Sequence, residues 1–168
     1  MLAGTLMLGA CTGTPPVTKE VSIVPITNHL EETNGAFVLK SNTSIGVIDA
    51  ELIPAAEYLA DMLSRATGYD LKVKEGEGTI TLALGDVQGK EGAYTLTAES
   101  DKVNITGNSY GGVIAGIESL RQLFPPQIES KEIVKGTDWA IPAVNIQDAP
   151  RFEWRGIMLD VSRHFYTI

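Results

Sequence analysis

Tyr94-Thr95-Leu96-Thr97-Ala98, Glu99-Ser100-Asp101 and Lys102-Val103-Asn104-Ile105-Thr106 decide the fold class, together with Ser109 to Phe124 directly after them. The first and third segments alternate apolar and polar residues, the period of a strand with one buried face. The three polar residues between them suit a turn, so the pair predicts a β-hairpin. The period then changes. Val113, Ile114, Ile117, Leu120, Leu123 and Phe124 fall at three- and four-residue steps, which predicts a helix. Ser109 stands where an N-cap belongs, and Pro125-Pro126 stops the helix. Gly112 and Gly116 lie four apart on one face, where they let a helix approach a sheet closely. Gly107 to Gly112 is not read as a phosphate loop, because no Lys-Ser/Thr follows and the glycine spacing is wrong.

Earlier in the chain, Leu52, Ala55, Ala56, Leu59, Met62, Leu63 and Ala66 build a second apolar stripe and predict a helix over 51–67. Gly68 follows at the C-terminal cap position. Further strands are expected at 37–39, 44–48, 69–74, 79–84 and 141–146. Val21 to Ile26, broken by Pro25, reads as an edge strand or an extended arm. Residues 127–138 read as an exposed loop. These elements predict an α+β domain with a mostly antiparallel sheet and two helices on one face.

The chain has 168 residues, a net charge of −8 and one cysteine, Cys11. Its 43% apolar and 20% charged shares are those of a globular protein. The acidity argues against nucleic acid, which needs a basic face. One cysteine excludes an intramolecular disulfide and a cysteine-based zinc site. Leu2 to Ala10 is a short apolar run that ends Leu8-Gly9-Ala10-Cys11. It is too short to span a bilayer and has the look of a secretory h-region. The run resembles the bacterial lipoprotein signal, which implies that Cys11 carries a lipid. The expected location is then the bacterial cell envelope, periplasm or outer membrane, with membrane contact only through that anchor. The basic n-region is missing, so the chain is expected to start inside the signal. Residues 12–20, with Pro15 and Pro16, read as a tether.

The chemistry lies at the other end. Ala149-Pro150-Arg151-Phe152-Glu153-Trp154-Arg155-Gly156-Ile157-Met158-Leu159-Asp160-Val161-Ser162-Arg163-His164-Phe165 is apolar from Gly156 until Asp160, which predicts a strand buried on both faces. This stretch resembles the opening of the catalytic domain of glycoside hydrolase family 20. It matches a pattern of P-R-F, W-R-G, L-D and R-H-F. The helix ending Leu120-Arg121-Gln122-Leu123 is similar to one in the α+β module that precedes that family's barrel. The resemblance divides the chain into a signal remnant and tether at 1–20, an α+β module at 21–148 and the start of a truncated (β/α)8 barrel at 149–168. It implies a β-N-acetylhexosaminidase acting on glycans with terminal N-acetylhexosamine, with no metal or organic cofactor, and a missing catalytic barrel as this module's partner.

Strand polarity alone would put Arg155 at the start of its strand, away from the substrate end of a barrel. The resemblance implies instead that Arg155 hydrogen-bonds O3 and O4 of the sugar in the −1 subsite, a use its fixed donors suit. Asp160, Arg163 and His164 form a charged cluster. They either support the site through salt bridges, the commoner use of such a cluster, or touch the substrate directly. Arg151 reads as a linker salt-bridge partner, and Trp139 and Trp154 as core residues more than sugar platforms. His164 has no second histidine nearby and is no metal site (His29 is distant).

The family's substrate-assisted retaining mechanism uses an adjacent Asp-Glu pair. No Asp-Glu dipeptide occurs in these 168 residues, so no catalytic residue is expected in the chain. Glu31-Glu32 lies in a surface-like segment and is no substitute. The competing readings are a non-catalytic carbohydrate-associated module, and the forward module of another glycosidase such as an α-glucuronidase or an O-GlcNAc hydrolase.

Overall fold

The two amphipathic stretches form the helices that their periods require. The computed structural model describes residues 21–159. Helix α1 spans Ile53–Thr67 and buries Ala55, Ala56, Leu59, Met62, Leu63 and Ala66. Pro54 sits in its first turn, where a missing N–H costs no helical bond. Gly68 closes it in the left-handed region at φ 71°, its N–H donating to the Ser64 carbonyl. Helix α2 spans Tyr110–Leu123, and the Ser109 side chain caps it by accepting from the Gly112 N–H.

Seven strands form one sheet: β1 (His29–Val38), β2 (Ser44–Val47), β3 (Lys72–Glu75), β4 (Ile80–Leu84), β5 (Tyr94–Ala98), β6 (Val103–Gly107) and β7 (Ala140–Asp148). Their order across the sheet is β1-β7-β5-β6-β4-β2-β3. The pairs β1/β7, β7/β5 and β5/β6 are antiparallel, while β6/β4, β4/β2 and β2/β3 are parallel. The sheet is therefore mixed, not mostly antiparallel. The cause is the crossovers: α1 returns the chain from β2 to a parallel β3, and α2 carries it from β6 past β5 to β7.

Both helices pack on the sheet and touch each other, α1 over β2 and β3, α2 over β4, β5 and β6. Between helices and sheet lie Ile45, Ile80, Leu82, Leu96, Ile105 and Ile117, all fully buried. Burying each such side chain contributes about 1.5–3 kcal/mol. Alternate residues of the central strands point the other way. Thr81, Asn104, Thr97 and Asn145 stand in one cross-strand row there. The loop expected after α2 contains a 3-10 turn at Pro126–Glu129, with Ile128 buried beneath it. Trp139 is buried in the core.

Two expectations fail at the exit from β7. Gly156 to Leu159 is not a buried strand: the stretch pairs with no described strand, and Ile157 and Met158 are 97% and 95% exposed. The sheet ends at β1 and β3, and the stretch adds to neither edge. Trp154 likewise is not a core residue but is 83% exposed. A barrel strand is thus not seen among the described residues.

Candidate functional site

The chain enters and leaves the sheet at the same place. Residues 21–28 run beside the C-terminal half of α2, where the Gln122 carboxamide pairs with the Val24 backbone. Its Oε1 accepts from the Val24 N–H at 2.9 Å and its Nε2 donates to the Val24 carbonyl at 3.1 Å. Asn28 then meets the end of β7: its N–H donates to Asp148 Oδ1 at 3.0 Å and its Nδ2 to the Ala149 carbonyl at 3.2 Å.

Between the entering arm, the start of β5, α2 and the exit segment lies a cavity of about 430 Å³. Ile26, Tyr94, Ala115, Pro150 and Phe152 supply apolar wall. Asp148, Arg151 and Arg155 supply charge. Asp148 is the one carboxylate on this wall among the described residues, and it already accepts from Asn28. A lone engaged carboxylate cannot supply the acid and base that glycoside hydrolysis requires. The chemistry available here is recognition: two guanidiniums offer fixed donors to hydroxyl or carbonyl oxygens.

Tyr94 forms the floor. Its hydroxyl is buried 2.6 Å from Ser119 Oγ, and burial pushes its pKa up, so the phenol stays neutral. The loop at 85–92 closes one side. Gly92 N–H donates to Asn108 Oδ1 at 3.0 Å and to Ser109 Oγ at 3.1 Å. Gly92 itself, at φ 93°, lies beside Arg155: a Cβ there would be in ordinary contact with Arg155 Nη2 at 3.9 Å.

Among the residues expected to act, Arg155 is exposed and lines the cavity. Arg151 lies on the same wall and forms no ion pair with a described carboxylate. Asp160, Arg163, His164 and Cys11 lie outside the described residues. The sequence reading did not single out Asp148, Tyr94, Asn28 or Asn108. Only Asn108, ahead of Ser109 and two glycines, carried any local signal, that of a turn.

A second charged group joins the two helices to the turn after α2. Arg121 Nη1 donates to Glu118 Oε2 at 3.0 Å, and its Nε and Nη2 grip both oxygens of Glu129. Tyr58 on α1 donates to Glu118. Accepting from Arg121 holds the Glu129 carboxyl below its usual 4.5, and donating to Glu129 and Glu118 holds the guanidinium more firmly protonated. All members reach solvent, and the group ties elements together. Among the described residues no three His, Cys, Asp or Glu side chains gather as a metal site, and no helix is long and apolar enough to cross a membrane.

Comparison with known proteins places this geometry. The model for "Glycosyl hydrolase family 20, domain 2" matches residues 20–149. A beta-hexosaminidase of Porphyromonas gingivalis is 34% identical over 159 residues, covering 92% of this chain and 20% of that protein. A beta-N-acetylhexosaminidase of Cellulomonas fimi is 33% identical over 156 residues, covering 89% of this chain and 30% of that protein. The structure of Streptomyces plicatus N-acetyl-beta-hexosaminidase in complex with Thio-NAglucal superposes with a TM-score of 0.80 at 34% identity, over 86% of this chain and 29% of that one. The chain spans less than a third of the length of each of these relatives. Its mixed seven-stranded sheet with two helices is the fold of the matched domain, and the chain belongs to glycosyl hydrolase family 20.

Proposed function

We propose that the protein bearing this chain is a β-N-acetylhexosaminidase that releases terminal non-reducing N-acetylhexosamine from glycans. The observation that carries this reading is the motif run from Pro150 to Phe165, which directly follows a module of the hexosaminidase family. In this proposal the chemistry is substrate-assisted: the 2-acetamido group attacks the anomeric carbon, an acid protonates the leaving oxygen, and water opens the resulting oxazoline with net retention. The residues that orient the acetamide and donate the proton lie in a (β/α)8 barrel beyond this chain, which contains no Asp-Glu pair. The chain's own share is binding. Arg155 donates to O3 and O4 of the sugar in the −1 subsite, and Asp160, Arg163 and His164 support it. The exposed guanidinium of Arg155, on a wall that lacks an acid–base pair, is in keeping with a binding role. In the same proposal the protein is exported and held at the cell envelope by a lipid on Cys11.

The test is to give the full-length protein 4-nitrophenyl N-acetyl-β-glucosaminide and follow the sugar by proton NMR. The reading predicts nitrophenol release with the β-anomer appearing first. No release, or the α-anomer first, contradicts it. For the anchor, Cys11→Ser is expected to abolish incorporation of labelled palmitate, and undiminished labelling contradicts it.

A further inference from the structure

The chain leaving β7 is held on two sides before it reaches Arg155. On one side Asn28 grips Asp148 and Ala149. On the other stands the loop at 85–92, whose glycines bring it into contact with the exit. A Cβ on Gly89 would lie 2.9 Å from the Ala149 Cβ, and one on Gly92 would lie 3.1 Å from Pro150 Cγ. From between these glycines Lys90 reaches out. Its Nζ donates to the Arg151 carbonyl at 3.1 Å and lies 3.9 Å from Glu153 Oε1.

The loop is a fixed platform for that lysine. Asn108 Nδ2 donates to the Lys90 carbonyl at 2.9 Å, while its Oδ1 accepts from Gly92. The backbone on both sides of Lys90 is therefore tied to the start of α2 through one side chain. An exposed pair such as Lys90 with Glu153 adds little stability, because water screens it. The bond to the Arg151 carbonyl has a different consequence. It fixes the course of the backbone four residues ahead of Arg155, whose guanidinium returns to Gly92 of the same loop.

We propose that Lys90 is a positioning residue for Arg155: anchored by Asn108, it holds the exit segment through the Arg151 carbonyl and so sets where the Arg155 guanidinium meets the sugar. This rests on the reading that Arg155 contacts substrate. Misplacing a binding group by about 1 Å can cost up to a hundredfold in rate, so loss of one such tether is expected to cost about tenfold.

The experiment is a double-variant cycle in the full-length enzyme, with kcat and KM measured on 4-nitrophenyl N-acetyl-β-glucosaminide and melting temperature recorded beside them. Lys90→Met is expected to lower kcat/KM about tenfold at an unchanged melting temperature. Lys90→Arg, which keeps a donor within reach of the Arg151 carbonyl, restores most of it. In an Arg155→Ala background, Lys90→Met costs nothing more, because the group it positions is gone. Wild-type kinetics in Lys90→Met beside an impaired Arg155→Ala overturn the proposal and leave the sugar contact standing. Losses that multiply independently in the double variant overturn it as well. Wild-type kinetics in Arg155→Ala overturn the sugar contact and the positioning role together.

Discussion

A Cβ placed on Gly112 would stand 2.4 Å from the carbonyl oxygen of Ala93. The first turn of α2 is thus seated directly on the backbone that leads into β5, at the edge of the cavity. An alanine elsewhere in a helix gains about 1 kcal/mol over glycine. Here the atom it meets is backbone, so α2 must move. Gly112→Ala is expected to destabilise the domain by more than about 2 kcal/mol, within the range known for overpacking. Gly116→Ala meets the Ile105 Cγ2 at 2.5 Å, a methyl on the stiff β-carbon of a fully buried side chain, so it overpacks the core as well, but side chains yield more readily than backbone and the cost is expected to be smaller. Urea unfolding of the two variants checks the order.

The buried pair of Tyr94 and Ser119 gives a second prediction. Tyr94→Phe leaves the Ser119 hydroxyl without its phenol partner and is expected to cost about 1 kcal/mol. The raised pKa of Tyr94 adds a pH signature. A phenol kept neutral in the folded state contributes stability that is full below its ordinary value of 10.0 and is lost as pH rises through the folded value. Wild type should therefore lose stability above pH 10 more steeply than Tyr94→Phe. Equal slopes in alkaline unfolding curves contradict this.

Arg121 and Glu129 behave in the opposite sense. The Glu129 carboxyl is depressed, so its contribution is present above 4.5 and falls away as pH drops through the folded value. The pair is partly exposed, and screening limits it to about 1 kcal/mol or less. Glu129→Gln is expected to lower stability modestly at pH 7 and by less at pH 3. Unfolding measured at both values, with a loss of equal size, would count against the assignment.

At Val24 the arm is held by one side chain, Gln122. Gln122→Ala removes both bonds to Val24, each worth about 0.5–1.5 kcal/mol at most for a group near solvent. Amide exchange at Val24 should quicken while exchange in β5 and β6 stays slow. Unchanged exchange at Val24 would show that the arm is held by other contacts.

The elements with a strong period were legible in the sequence. α1, α2, β5 and β6 announce themselves because each has one buried face, and the stops at Gly68 and Pro125 have a local cause. β1 was largely missed. Leu30 to Gly35 shows little alternation because β1 is an edge strand, exposed over most of its length and irregular between Glu32 and Ala36. In the other half of the sheet the strands are legible but their parallel direction is not. Ile45-Gly46-Val47 and Ile80-Thr81-Leu82 are buried at every position, so neither period is displayed. Strand direction is then set by the crossovers, which no local pattern records.

The cavity was illegible for a related reason. Arg155 was singled out by its motif, but the residues around it come from the arm, β5, α2 and the end of β7, distant in sequence and unremarkable alone. Asn28 and Asp148 lie 120 residues apart and meet only in the fold. Lys90 reads in isolation as one more solvated charge.

The central proposal is that this chain supplies binding, through Arg155, to a hexosaminidase whose chemistry lies in a barrel beyond it. The most direct measurement is kcat/KM of full-length Arg155→Ala on 4-nitrophenyl N-acetyl-β-glucosaminide, set against wild type at equal thermal stability. The account predicts a loss of at least about a hundredfold, the size expected when charge-assisted hydrogen bonds to a bound sugar are removed. Kinetics equal to wild type would contradict it.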